Sequence, residues 1–248
     1  PGEPRSPLVL LVASDVTEQR AAEQSRLQAA IAQREVLVRE VHHRIKNNLQ
    51  GVAGLLMQTA GKHPEVRDIL TDAVGQVQAI AQVYGLQMGR TGPLVLAGLL
   101  RAVTASLGRM AGRTIDVQVT GGVPHELPEN ESIPIALTLN ELVSNALRHG
   151  DGGDVRCTLA TAGDAVVLGI AGRGRLPADF ELQRAGRSSV AGLGLVRALL
   201  PRRSSRFALE QVGDDVVARV ELWAPAVQLP AISTGTDRPD ACLRRADG

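Results

Sequence analysis

The apolar positions divide the chain into two regions with different periods. Between Thr17 and about Ala60 there is no proline, and glycine occurs only at Gly51 and Gly54. Within that stretch Val38, Val41, Ile45, Leu49, Val52 and Leu56 recur at spacings of three and four, which makes one apolar stripe on a helix. Gly61-Lys62-His63-Pro64 ends the helix. Residues 65–90 then carry a second stripe: Val66, Ile69, Ala73, Val77, Ile80 and Tyr84. Two such helices joined by a short loop form an antiparallel hairpin. A lone hairpin leaves its apolar faces half covered, and pairing two hairpins into a four-helix bundle covers them, so a homodimer is expected.

After Thr91-Gly92-Pro93, a hinge by composition, the pattern alternates between strand and helix periods. Helices are expected at about 96–109, 130–149 and 191–201. Strands are expected at 114–120, 154–160, 164–171, 206–212 and 215–223. That order predicts an α/β sandwich with helices over one face of a sheet, so the chain as a whole is α+β. The expected division is a hairpin over 17–90, a sandwich over 94–225 and an aperiodic, disordered tail over 226–248. At the front, residues 8–13 (LVLLVA) have strand character, and Asp15 with Glu18 three positions later forms a capping-box pattern.

Composition narrows the function classes. The 248 residues suffice for one large or two small domains. A net charge of +1 gives no electrostatic footprint for nucleic acid, and 2% aromatics leave few platforms for base stacking. Cys157 and Cys242 have no metal or redox spacing and suggest a reducing, cytoplasmic setting. No run approaches the ~18 apolar residues of a membrane span. The chain opens at Pro1 and reads as a piece of a longer protein.

Candidate chemistry concentrates in residues 40–50, EVHHRIKNNLQ. His43 lies two positions after Val41 and two before Ile45, off the stripe and toward water. An exposed imidazole can attack a phosphoryl group. Glu40, three residues earlier, shares its helical face and could hold the ring or share its proton. This string resembles the phosphoacceptor box of sensor histidine kinases of the second HisKA-type class, a sister group of the HWE kinases. Alignment with H-x-x-(K/R)-(T/N) makes His43 the acceptor, with Lys46 at +3 and Asn47 at +4. Choosing His42 would put Ile45 at +3. The resemblance implies a response-regulator receiver domain as partner, and Asn47, one turn after His43, as a holder of water in phosphatase chemistry. The string ASDVTEQR, ending at Arg20, similarly resembles the exit of a PAS sensor domain, which makes residues 1–16 the end of such a domain.

A second motif is NELVSNALRH, residues 140–149. Glu141 and Asn145 lie one turn apart on a helix, a pairing that can hold Mg²⁺ and order a water or nucleophile. The string resembles the N box of the GHKL ATPase fold. That implies Glu141 as base or water-orienting residue and Asn145 as the Mg²⁺ ligand, with Asn140, Arg148 and His149 near the phosphates. AGLGLV, residues 191–196, resembles the second glycine box through Gly192 and Gly194.

The first glycine box departs from the family pattern D-x-G-x-G. Here residues 170–177 read IAGRGRLP. Anchoring on Leu176-Pro177 puts Ala171 at the aspartate position. Anchoring on strand parity, with Val166, Leu168 and Ile170 inward, puts Gly172 there and keeps Gly174. Neither supplies an acid, and none occurs between Asp164 and Asp179. Loss of a charge-assisted hydrogen bond costs ~1.5–3 kcal/mol, so Mg-ATP binding is expected to be impaired. The expected function is phosphoryl exchange between His43 and a receiver aspartate, as phosphatase or phosphotransferase. The alternatives are an ATP-dependent autokinase and a non-catalytic dimeric scaffold that binds a response regulator.

Overall fold

The computed structural model describes residues 15, 17–88, 93–121, 124–177, 180 and 192–229. The PAS-like opening, the hinge at 91–92 and the tail beyond residue 229 lie outside the described residues. The hairpin is formed by α1 (Thr17–Lys62) and α2 (Arg67–Gln87), joined by a single 3-10 turn at Pro64–Val66. The second region contains β1 (Leu94–Val95), α3 (Leu96–Ala111), β2 (Ile115–Thr120), β3 (Glu126–Leu127), α4 (Glu129–His149), β4 (Val155–Ala162), β5 (Ala165–Arg173), α5 (Leu193–Leu199), β6 (Ser205–Val212) and β7 (Asp215–Leu222). No helix among the described residues is long and apolar enough to cross a membrane.

The sheet has strand order β2-β4-β5-β7-β6, with β2 parallel to β4 and the other pairs antiparallel. Its register follows from period-two patterning, since a slip of one residue would turn every core side chain to the wrong face. Val117, Cys157, Ile170, Ala218 and Leu209 sit opposite one another across the five strands. Val119, Leu159, Leu168, Val220 and Phe207 form the next row. These rows pack against α3 and α4, where Leu99, Leu100, Leu139 and Val143 are fully buried. The sandwich is therefore one sheet with its helices on one face, as the alternation predicts.

Three features depart from the sequence expectation. The first concerns the α1 stripe, which splits. Ile45, Leu49 and Leu56 turn toward α2 together with His42, Ala53 and Ala60, while Val38, Val41 and Val52 remain exposed beside Leu55. The face against α2 is most deeply buried at its two alanines, Ala53 and Ala60, where a small side chain lets the helices approach. The second concerns α2, whose Ile69 is 70% exposed while Val74, Gly75, Ala79, Ala81 and Val83 are buried. This helix is covered from two sides, by α1 and by α3 and α4, so its buried face is not the single stripe read from spacing.

The third is a correction to the tail. Ala226 and Val227 are buried, and Gln228 exchanges backbone hydrogen bonds with Glu126 at 2.8 Å each. That bridge extends the small β1–β3 pair, so the ordered domain runs past residue 225. Apolar burial of Ala226 and Val227 holds this segment even though it has no helical or strand period.

The α2–α4 contact is close at Gly75, where a β-carbon would come within 3.2 Å of Asn140 Oδ1. A bulky side chain there must push α4 away from α2. Gly75→Leu is expected to speed backbone hydrogen exchange in the middle of α2 and of α4 while leaving β4 and β5 protected. Unchanged exchange in α4 would show that the contact does not hold the two regions together.

Candidate functional site

Two constellations carry the sequence motifs, one on α1 and one where α4 meets the sheet. On α1, His43 is exposed, as the spacing predicts. Its Nδ1 lies 3.4 Å from the Asn47 amide nitrogen, one turn on. With the amide in this orientation Asn47 donates, Nδ1 accepts and the ring proton sits on Nε2. A half-turn of the amide reverses both roles and leaves the Nε2 lone pair facing outward.

His42 takes the opposite course. It turns inward against Tyr84, with ring centroids 5.5 Å apart, and its Nδ1 is buried without a hydrogen-bond partner. Lys46 lies along Gly85 of α2, where a β-carbon would meet its side chain at 3.5 Å. The α2 end thus shapes the turn that bears His43. Glu40 does not hold the His43 ring. It accepts a hydrogen bond from Arg44 Nε at 2.8 Å, and that guanidinium holds its carboxyl below the usual range, with a lesser contribution from His43.

On α4 the motif residues divide by helical face. Asn145 and His149 line a cavity of about 500 Å³ between α4 and the sheet, together with Gly174 and Gly192. Gly194, within the short α5, does not line it. Asn140, 4% exposed, faces Gly75 of α2 instead. Arg148 also turns to α2. Its two terminal nitrogens grip Asp72 at 3.1 and 2.5 Å, and one of them also reaches Ser144 Oγ at 3.2 Å. Two residues expected near phosphates therefore hold the hairpin. Ser106 of α3 adds a hydrogen bond to Gln78 of α2 at 3.1 Å.

Glu141 lies between these faces and is 5% exposed. Burial pushes its carboxyl above the usual range, and the Asp72 carboxylate adds to the shift. Arg148, the Asn145 amide and the Gly192 backbone N–H act in the other direction. The pair placed one turn apart by the sequence is thus coupled, because the Asn145 side chain favours the charged form of Glu141. The Gly192 N–H, expected to face a phosphate, acts on Glu141 in the same direction. Gly192 has φ +72° and ψ −150°, a backbone state that only glycine adopts readily.

Of the two positions read from the sequence, Gly172, the one given by strand parity, lines the cavity and Ala171 does not. A β-carbon at Gly172 would stand 3.2 Å from the Ala146 β-carbon and 3.3 Å from its carbonyl oxygen, so the strand and α4 meet there with no room for a side chain. Arg173 and Arg175 are exposed at the mouth of the cavity, and none of its described lining residues is a carboxylate. Cys157 offers no alternative nucleophile, because burial pushes its thiol up to about 12.

Sequence reasoning missed Asp72, Gly75 and Tyr84 as parts of these sites. Asp72 is 76 residues from Arg148, and no periodicity links positions that far apart.

Residues 40–110 match the HisKA_2 family model, described as histidine kinase. The chain thus carries a HisKA_2 domain, which spans the second half of α1, α2 and most of α3. It is similar to the sensor histidine kinase PdtaS of Mycobacterium tuberculosis, 30% identical over 223 residues, which cover 83% of this chain and 42% of that protein. The Mycolicibacterium smegmatis PdtaS is 29% identical over 84% of this chain and 43% of its own length. The chain therefore spans less than half the length of these relatives. Among solved structures, the histidine kinase domain of the blue-light activated histidine kinase from Erythrobacter litoralis EL346 aligns with a TM-score of 0.52 at 17% identity, over 77% of this chain and 94% of that one.

The raised Glu141 carboxyl has a consequence for stability. The folded chain favours its neutral form, so this contribution is complete below the ordinary carboxyl range and is lost as pH rises through the raised value. Glu141→Gln removes that titration while keeping an oxygen for Asn145 and Gly192. Urea denaturation between about pH 4 and pH 7 should show the unmodified chain losing stability relative to Glu141→Gln as pH rises. Parallel stability curves would refute the assignment.

Proposed function

We propose that the chain acts in two-component signalling, exchanging phosphoryl groups between His43 and an aspartate of a response-regulator receiver domain, with impaired ATP binding in its own GHKL-type domain. The observation that carries this reading is the contrast between the neighbouring histidines. His43 is exposed with Nδ1 engaged by Asn47, whereas His42 is packed against Tyr84. In the transfer step His43 Nε2 attacks the phosphorus of the aspartyl phosphate. The P–N bond forms as the P–O bond to the aspartyl oxygen breaks, and the aspartate leaves as a carboxylate. Asn47, turned so that its oxygen accepts from Nδ1–H, stabilises the charge that develops on the ring. In the phosphatase direction the same amide holds the attacking water, and His43 need not become phosphorylated.

Impaired ATP binding is supported at both ends of the cavity. Gly172 provides no side-chain carboxylate to accept from an adenine amino group. At the other end Glu141 already engages the Asn145 amide and the Gly192 N–H, the groups that a magnesium-bound triphosphate would need. In this arrangement the residues do not fit Mg-ATP, and the proposed chemistry uses phosphoryl groups made elsewhere.

Phosphoramidate, a small phosphoryl donor to imidazole, tests the acceptor without a partner. Mass spectrometry is expected to find the phosphoryl group on His43, with labelling abolished in His43→Ala and retained in His42→Ala. Labelling mapped to His42 would overturn the assignment. Self-labelling of His43 from low-micromolar Mg-ATP would replace the phosphotransfer reading with that of an autokinase.

We also propose a homodimer through α1 and α2. Leu27, Ile31, Val41, Val52 and Leu55 of α1 are each between 46% and 66% exposed, an apolar face that a second hairpin would cover. Light scattering at micromolar concentration is expected to give about twice the 26.2 kDa chain mass. A monomer mass would sink the dimer while leaving the acceptor assignment intact.

A further inference from the structure

We infer that the cavity between α4 and the sheet binds an apolar small-molecule anion in place of a nucleotide. The inference rests on the proposal that ATP binding is impaired, and it assigns the site a ligand class of its own. The floor is apolar, formed by Leu142 and Ala146 of α4 against Ile170 and Ala218 of the sheet. Gly172 closes the deep end with backbone alone. A purine buried there would find no side-chain carboxylate for its exocyclic group, whereas a hydrocarbon or aryl body needs none. A volume of about 500 Å³ lies within the usual range of small-molecule sites.

The mouth has the opposite character. The guanidinium groups of Arg173 and Arg175 stand at the opening. Arg173 approaches Asp214 only at 3.9 Å, with both side chains largely exposed, so its charge is weakly committed. The two guanidinium groups at the entrance favour a negative head group. A guanidinium fork suits carboxylate, sulfonate and phosphate alike. The ligand that fits is an apolar ring system or short acyl chain ending in one such group.

The probe is 8-anilinonaphthalene-1-sulfonate, an aryl body with one anionic head, titrated into the full chain and followed by fluorescence. The expected result is saturable binding at one site per chain, weakened about tenfold in Arg175→Glu and blocked in Ala146→Leu, which fills the floor. Decanoate and decyl phosphate, added separately, distinguish a carboxylate ligand from a phosphate one by which displaces the dye at lower concentration. Val212→Ser with Leu229→Ser, exposed apolar positions that do not line the cavity, is expected to leave the dye signal unchanged. A signal that falls with those changes and ignores Arg175→Glu would place the dye elsewhere on the surface and overturn the inference. So would the absence of saturable binding, whereas the impaired-ATP proposal would survive either outcome. Displacement of the dye by micromolar Mg-ATP would instead overturn that proposal, and this inference with it.

Discussion

The architecture depends on the burial of α4 from two directions. Leu139, Leu142 and Val143 bury against the sheet and α3. Asn140 and Arg148, on another face of the same helix, meet α2 through Gly75 and Asp72. A third face carries Asn145 and His149 into the cavity. An α-helix turns 100° per residue, so the eleven consecutive residues from Leu139 to His149 supply all three faces at once. The hairpin, the sheet and the cavity are therefore referred to one rigid element, and none can shift on α4 without disturbing the others.

Glu141 is the point where these demands meet. A carboxyl removed from water is held above its usual range unless cations and donors offset the loss of hydration. Here Arg148, Asn145 and the Gly192 N–H offset part of it, while Asp72 works against them. The Asp72–Arg148 pair is partly exposed, with side-chain accessibilities of 29% and 45%, so its own contribution is modest, about 0.2–1 kcal/mol. Its larger effect is to fix where two charges lie relative to a third that has little water around it.

Much of the fold was legible in the sequence because period reports local structure directly. The long α1, the hairpin bend at Pro64 and the alternation of helices and strands after residue 94 all followed from apolar spacing and from the placement of glycine and proline. The position of His43 off the helical stripe was legible for the same reason, and so was Gly172 through strand parity. What spacing could not show was which of several apolar residues faces which neighbour. The α1 stripe divides between Ile45 and Val41, and Ile69 is exposed on α2, because α2 packs on two partners and not one. The destinations of Asn140 and Arg148 were misread because helix position gives a direction but not what occupies it. The segment at 226–228 carries no period, yet it packs through two small apolar side chains and a single backbone bridge.

The contact through Gly75, Asp72 and Gln78 bears on how freely such chains can be recombined. A hairpin and a sandwich look like interchangeable modules joined at a hinge, and a chimera would be cut there. But three positions on α2 answer to three on α3 and α4: a missing side chain opposite Asn140, a carboxylate opposite Arg148 and an amide opposite Ser106. A foreign hairpin lacking that triplet would bring a mismatched surface to α4. A working chimera would therefore have to carry its α2 positions together with the α3 and α4 positions they meet.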